Sequence, residues 1–287
     1  MIGRYAPSPT GALHVGNLRT ALAAWLFARA AGSRFVLRVD DLDPADARPE
    51  HEAGQLADLR AIGIDWDEPV VHQSERRAAH DAAVDALVDR GLTYECFCTR
   101  REIREASRAP HGAVGAYPGT CRDLSASERD ERRAAGRPPA IRLRAGGEVV
   151  TVRDRLAGLV ELAVDDLVLR RNDGLPAYNL AVVVDDAHQG VEEVVRGDDL
   201  LESTPRQVLL ARVLDLPVPA YAHVPLVLGP DGTRLAKRHG AVTLADVSAP
   251  PSAVRAALLG SLGQRDGEPF DPDRIPPGPV GLAAVLP

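Results

Sequence analysis

Apolar residues recur at Leu18, Ala21, Leu22, Trp25 and Leu26, and this spacing predicts a helix from near Asn17 until Gly32 can cap it. Ahead of it, Ile2 to Ala6 reads as a short strand. That strand must stop at Pro7 and Pro9, because proline removes a backbone donor and pushes its predecessor out of the helical region. Phe35 to Val39 reads as a buried strand. Helical spacing returns at Leu56, Leu59 and Ile62 before Gly63, with a start at Asp46 or Pro49, and again over Arg76 to Arg90, with Val84, Leu87 and Val88 before Gly91. Short strand candidates stand at Val70 and Tyr94. Strand alternating with helix predicts an α/β fold, a Rossmann-like doubly wound parallel sheet covered on both faces.

The alternation fails after Cys96. A capping box of Ser125 with Glu128 starts a charged helix that ends near Gly136. Ile141 to Arg144, Val149 to Arg153 and Val160 to Ala163 then read as strands without helices between them. The chain therefore divides into a first half of the sheet domain, 1–95, an inserted α+β subdomain, 96–173, and a second half, 174–247. A short helical remnant, 248–287, follows, with one helix expected from Ser252 to Leu262. Where the insertion meets the second half, Asn172-Asp173-Gly174 is a turn, and Tyr178 to Asp186 beyond it is too short and apolar to assign by period. Thr204-Pro205 reads as a helix cap followed by proline at the first helical position, and Val224 to Leu228 as a strand.

The 287 residues are 45% apolar and 26% charged, ordinary for a globular chain of one large or two modest domains. A net charge of −7 argues against a chain that grips nucleic acid indiscriminately. Arg100, Arg101 and Arg104, or Arg129, Arg132 and Arg133, could still face a phosphate backbone; taken singly each is better read as part of a solvated helix face. The start carries no basic region followed by an apolar run, and no segment has membrane-spanning length, so a cytoplasmic monomer with no membrane association is expected. Of 34 basic residues only Lys237 is lysine, which points to a need there for a compact ammonium instead of a planar guanidinium.

Three places carry candidate chemistry. His14 and Gly16 lie at the start of the first helix, where unpaired backbone N–H groups and the positive end of the dipole suit phosphate. Asp40, Asp41 and Asp43 follow a strand, where doubly wound folds bind ligands; an acidic turn capping the next helix is the plainer reading, and both can hold. Cys96, Cys98 and Cys121 are the only cysteines, and an odd number with Cys-x-Cys spacing favours zinc over structural disulfides. By chemistry alone His111 is the preferred fourth ligand, with Tyr117 the other candidate nearby.

Arg4-Tyr5-Ala6-Pro7-Ser8-Pro9-Thr10-Gly11, then Leu13-His14-x-Gly16, resembles the opening of the glutamyl group of class I aminoacyl-tRNA synthetases, whose signature is written HIGH. Asn17 stands where that signature has its second His and can hydrogen-bond without carrying charge. Arg38-Val39-Asp40-Asp41-Leu42-Asp43 resembles the group's Arg-Ile-Glu-Asp-x-Asp run, which implies that Asp40, one methylene shorter than Glu, holds the substrate ammonium. Ala177 to Asp186 and Val195 to Leu200 resemble the second half of the amino-acid pocket, through Tyr178 and Arg196. Glutamate carries two carboxylates and one ammonium, so its site needs more than one cation and an acceptor. Arg4 and Arg196 can supply the cations, Ser8 and Tyr178 hydroxyls, and Asp40 the counter-charge. Gly229 to Arg238 resembles the mobile loop written KMSKS, with Arg234, Leu235, Ala236 and Arg238 as departures and Lys237 retained.

The resemblance implies the class I catalytic fold and ATP bound through His14, Gly16, Asn17 and Lys237, with Mg2+ accompanying the nucleotide. It also implies His14 and Lys237 as the catalytic pair. The subgroup most resembled glutamylates queuosine in tRNA(Asp); its Cys-x-Cys and Tyr-x-x-x-Cys pattern implies one structural Zn2+ on Cys96, Cys98, Tyr117 and Cys121. About fifty residues follow the lysine loop, too few for the helical domains with which a full glutamyl-tRNA synthetase reads an anticodon. The implied activity is tRNA-independent activation of L-glutamate and its transfer to queuosine in the anticodon loop of tRNA(Asp). A shortened enzyme that charges a tRNA 3′ end, or a silent glutamate- or tRNA-binding module, are the alternatives.

Overall fold

The computed structural model describes residues 1–99, 101–103, 117–233, 235 and 242–287. Its centre is a sheet of seven strands. These are β1 (Gly3–Tyr5), β2 (Phe35–Val39), β3 (Val71–His72), β6 (Val149–Asp154), β7 (Gly158–Ala163), β9 (Glu193–Gly197) and β10 (Ala220–Val224), in the order β3-β2-β1-β9-β10-β6-β7. Every pairing is parallel except the β6–β7 hairpin. The strand order reverses between β1 and β9, and a crevice opens beyond the carboxyl ends of strands at such a point.

Both faces of the sheet are covered, as the doubly wound pattern requires. Phe35, Leu37, Val195 and Ala222 belong to one buried cluster, while their neighbours Val36, Val194 and Tyr221 belong to the other. Successive strand residues thus face opposite layers, and no polar side alternates with an apolar one. Helix α1 (Val15–Ala30) lies against β1 and β9. Its close approach depends on small residues: a Cβ on Gly3 would come 3.0 Å from that of Ala28. Leu18, Leu22 and Phe35 are fully buried there, each contributing roughly 2 kcal/mol.

Helices α2 (Pro49–Ala61) and α3 (Arg77–Asp89) begin and end within a residue or two of the pattern in the sequence. α1 starts at Val15, two residues ahead of expectation, so His14 is itself its N-cap. Tyr178–His188 is a helix, α5, on which the period was silent, and Ala177 caps it without a side-chain bond. Helix α6 (Thr204–Val213) has Ser203 as N-cap, which places Thr204 and Pro205 one position further into the first turn than expected. The strand expected over Val224 to Leu228 is broken after Val224, and β11 (Val227–Leu228) pairs instead with β12 (Val280–Gly281). Pro225 explains the break, since it has no donor for a continued ladder. Helix α7 (Pro251–Ser261) closes the α1 side.

Strand β4 (Thr93–Cys96) does not extend the parallel sheet; it pairs antiparallel with β5 (Ala140–Leu143), and β5 with β8 (Val168–Arg170). Helix α4 (Ala126–Ala134) opens with the expected capping box of Ser125 and Glu128. The segment 96–173 feeds both sheets, because β6 pairs with β10 at Tyr221 and Asp154. Among the described residues no helix is long and apolar enough to cross a membrane.

Three buried carboxylates tie these layers together. Asp185 on α5 accepts from Arg76 Nε at 2.6 Å, His80 Nε2 at 2.9 Å and Gln73 Nε2 at 2.9 Å. Asp166 accepts from Tyr94 Oη and Arg122 Nε, both at 2.6 Å, and from the backbone N–H of Ala145 at 2.9 Å. Asp154 accepts from His223 Nδ1 at 2.6 Å. Burial alone would raise each carboxyl, yet these hydrogen bonds hold all three below the ordinary value of 3.8. The folded values lie below the unfolded ones, so this stabilisation is complete above 3.8 and is lost as pH falls through the folded values. Asp166→Asn is therefore expected to destabilise the protein by on the order of 3 kcal/mol at pH 7. In urea titrations the gap to wild type should close as pH falls below 3.8; a gap constant with pH would show that ionisation of Asp166 contributes nothing.

Candidate active site and thiol cluster

A cavity of about 720 Å³ opens where the strand order reverses, beyond the ends of β1, β2 and β9. Arg4, Ser8, His14, Gly16, Asn17, Asp40, Tyr178 and Arg196 all line it. Residues from Arg4 to Arg196 in the chain thus converge on one cavity. Lys237 lies outside the described residues, with Arg234, Ala236 and Arg238. The chain on either side is tied to the cavity: Leu235 is buried in its lining, and Val15 N–H donates to the Val242 carbonyl at 2.9 Å.

At the cavity floor four charges form a chain. Arg4 Nε lies 3.5 Å from Asp186 Oδ1, Arg38 Nη1 donates to the same oxygen at 2.6 Å, and Arg38 Nε donates to Asp40 Oδ1 at 2.8 Å. Burial lifts the Asp40 carboxyl above its ordinary value while Arg38 pulls it down. Arg196 is different. Its guanidinium, 5% exposed, has no carboxylate partner among the described residues, and its Nη1 is buried without a hydrogen bond there. Arg4 and Arg38 share Asp40 and Asp186, whereas burial without such a partner lowers the pKa of Arg196; the exposed carboxylate of Asp199 also belongs to the cavity lining. Tyr178, 42% exposed, lines the same space.

At the mouth, His14 and Asn17 cap α1 reciprocally. Asn17 N–H donates to His14 Nδ1, and His14 N–H donates to Asn17 Oδ1, each at 3.2 Å. Because Nδ1 is an acceptor, the neutral ring carries its proton on Nε2. Gly16 leaves this ring in place, since a Cβ there would stand 3.0 Å from the His14 ring and push it aside. The preceding loop is pinned by buried Gln55, which donates to the carbonyls of Ser8 at 3.0 Å and Gly11 at 2.7 Å.

The three cysteine sulfurs lie within 4.8 Å of one another. Cys98 Sγ is 3.5 Å from Cys121 Sγ, and Tyr117 Oη is 3.4 Å from Cys96 Sγ and 3.9 Å from Cys98 Sγ. A tetrahedral ion with metal–sulfur bonds of about 2.3 Å sets edges of roughly 3.8 Å, so these four atoms fit one coordination shell. His111 lies outside the described residues. Burial and the neighbouring Cys96 push the Cys98 thiol up to about 12, a repulsion that a bound cation removes. Arg132 Nη1 reaches Cys121 Sγ at 3.5 Å, and the Arg142 guanidinium stacks 3.7 Å over the Tyr117 ring, so two cations stand beside the cluster.

Asp186, Arg38 and Gln55 were not singled out from the sequence as site residues, nor was the pair Asp154 and His223 behind Arg196. One signal was available: Asp185-Asp186 interrupts an apolar run that begins at Leu180, and acids there need buried partners.

Residues 1–263 match the family described as tRNA synthetases class I (E and Q), catalytic domain. The chain is 64% identical to the glutamyl-Q tRNA(Asp) synthetase of Nocardia farcinica, with 96% of this chain and 91% of that one covered. It is 47% identical to the protein of the same name from Symbiobacterium thermophilum, over 99% and 96% of the two chains. Among solved structures, a glutamate tRNA ligase from Elizabethkingia meningosepticum, crystallised in complex with its amino acid, superposes with a TM-score of 0.84 at 26% identity. That likeness covers 99% of this chain and 67% of the other.

The cap makes a direct demand on Asn17. Asn17→Ala removes one of the two reciprocal bonds and is expected to cost about 1 kcal/mol in urea unfolding. An unchanged midpoint would mean that solvent replaces the bond.

Proposed function

The chain belongs to the class I tRNA synthetases of the E and Q group through its catalytic domain, and we propose that it is an ATP-dependent ligase that converts L-glutamate to glutamyl-adenylate without tRNA and passes it to queuosine in the anticodon loop of tRNA(Asp). The observation that carries the amino-acid part is Arg196: a buried guanidinium without a carboxylate partner among the described residues, in the lining of the cavity beside Arg4, Asp40 and Tyr178. Glutamate, net −1, is its complement. Arg196 takes one carboxylate and Arg4 supports the other from its post beside Asp186. Asp40 receives the ammonium, and Ser8 and Tyr178 supply hydroxyls. An ammonium beside Asp40 also offsets the burial that raises its carboxyl.

A glutamate carboxylate oxygen attacks the α-phosphorus of ATP as the bond to pyrophosphate breaks. The nucleophile is already deprotonated, so positioning and charge stabilisation carry the rate. His14 Nε2–H, Gly16 and the α1 N-terminus meet the phosphates, while Asn17 holds the His14 ring in its donor tautomer. Lys237, two residues beyond cavity-lining Leu235 in the chain, supplies the opposing ammonium. Mg2+ bound with ATP would supply further charge neutralisation on the phosphates.

The acceptor assignment is supported by degree of likeness: the chain is 64% identical to the Nocardia glutamyl-Q tRNA(Asp) synthetase and 26% identical to the solved glutamate tRNA ligase. Glutamate-dependent exchange of pyrophosphate into ATP is expected with no tRNA present; a silent binding module would show none. When radiolabelled glutamate is then transferred to tRNA and the product is cut into halves, the label should travel with the anticodon half and vanish with queuosine-free tRNA. Label on the 3′ half would make this a charging enzyme instead.

For the cluster we propose one Zn2+ on Cys96, Cys98, Cys121 and Tyr117, where it would supply folding free energy to the sheet β4-β5-β8. Metal analysis should return one zinc per chain, and Cys98→Ser should lose it and speed amide exchange in that sheet more than in the parallel one. Metal-free wild type that stays folded and active would sink the assignment.

A further inference from the structure

Arg196 is held from behind. Its Nε–H donates to His223 Nε2 at 3.1 Å, and its Nη2–H donates to Thr204 Oγ1 at 2.9 Å. Thr204 Oγ1 in turn lies 3.1 Å from His223 Nε2. His223 can accept there only if that nitrogen is bare, which puts the ring proton on Nδ1. Nδ1 faces Asp154 Oδ2 at 2.6 Å, and the other oxygen of Asp154 accepts the backbone N–H groups of Ala157 at 2.8 Å, Leu156 at 2.9 Å and His223 at 3.2 Å. All of Asp154, His223 and Thr204 are buried. The Tyr221 ring stacks beside His223 at 6.2 Å between centroids, with the Arg196 guanidinium 5.6 Å from the Tyr221 ring.

We propose that Asp154 and His223 are positioning residues for Arg196: the carboxylate selects the imidazole tautomer, and the imidazole fixes the guanidinium so that Nη1 is presented to a carboxylate of the substrate. This rests on the reading of Arg196 as the carboxylate anchor. The chemistry of the spacer gives the arrangement its sense. A carboxylate placed directly on Arg196 would neutralise the charge that glutamate must meet. A neutral ring orients the guanidinium and leaves that charge to the ligand. Burial, together with the Arg196 guanidinium beside it, holds the His223 ring below its ordinary pKa against the pull of Asp154, consistent with a neutral spacer.

A merely structural His–Asp staple between β10 and β6 predicts lost stability without a selective kinetic effect. In tRNA-free pyrophosphate exchange, His223→Leu and Asp154→Asn are expected to raise the KM for glutamate by about tenfold, with kcat and the KM for ATP little changed. His223→Gln, which keeps an acceptor at the Nε2 position, should stay within about threefold of wild type. A glutamate KM unmoved by His223→Leu, or raised equally by Leu and Gln, overturns the proposal. Arg196→Met tests the underlying reading separately: if it leaves the glutamate KM unchanged, the anchor assignment fails whatever His223 does. Should the Leu variant not fold, 15N-histidine spectra of the wild type still decide. His223 is identified as the signal, among eight histidines, missing from the Gln variant. A proton on Nδ1 with Nε2 bare is the expected tautomer, and a protonated Nε2 refutes the proposal.

Discussion

Three guanidinium groups, Arg4, Arg38 and Arg196, are buried around the point where the strand order reverses, and much of the surrounding structure follows from having to keep them there. Moving an ion out of water costs several kcal/mol even after relaxation. A contact near 3 Å returns on the order of 5 kcal/mol at an effective dielectric of 20. Such pairs roughly break even, so the chain Arg4–Asp186–Arg38–Asp40 is poorly explained as a device for stability. It is better explained by what it leaves over. Two carboxylates occupied with Arg4 and Arg38 pin the floor of the cavity and leave Arg196 without a carboxylate of its own among the described residues, which suits it to meet an anion.

The same economy governs the mouth. A helix N-terminus leaves N–H groups to be satisfied, and here the cap is a histidine whose ring is fixed by the first turn it caps. Local helix formation and the tautomer of His14 are therefore one event. Asn17 takes a place where the glutamyl signature has a second histidine. Its side-chain oxygen receives the His14 N–H while its backbone N–H gives to the ring, and the neutral amide does its part at any pH.

How much of this was legible depended on whether the determinant was local. Pro7, Pro9, Gly32, Gly63 and Gly91 bounded the first elements correctly because they act on their own backbone. The cavity-lining residues from Arg4 to Arg196 were legible through motif resemblance, and they do meet in space. Helix α5 was not legible, since it begins without a side-chain cap and is buried on most of its faces, so no period shows. Neither was the departure of β4 from the parallel sheet, because a strand's partner is set by distant residues such as Ile141 and Leu143. Asp154, His223 and Asp186 escaped for the same reason. Each looks like an ordinary polar residue until a partner 69 or 148 positions away supplies its purpose.

Those long-range partners also bear on whether the segment 96–173 is a separable module. Its sheet β4-β5-β8 makes no ladder with the parallel one, which favours independence. Three contacts oppose it, the first being the pairing of β6, inside the segment, with β10 of the central sheet. Asp154, at the end of β6, grips His223 behind Arg196. Asp165 accepts Tyr117 N–H at 3.1 Å through one oxygen and Arg206 Nε at 3.0 Å through the other, and Arg206 stands two residues beyond Thr204, which holds Arg196. The thiol cluster and the guanidinium that faces the cavity are thus joined through a carboxylate and the first turn of α6. Contiguity alone is not coupling. It does mean that the segment cannot shift as a body without moving the two groups that aim Arg196, so its ordering and the shape of the cavity are mechanically one problem.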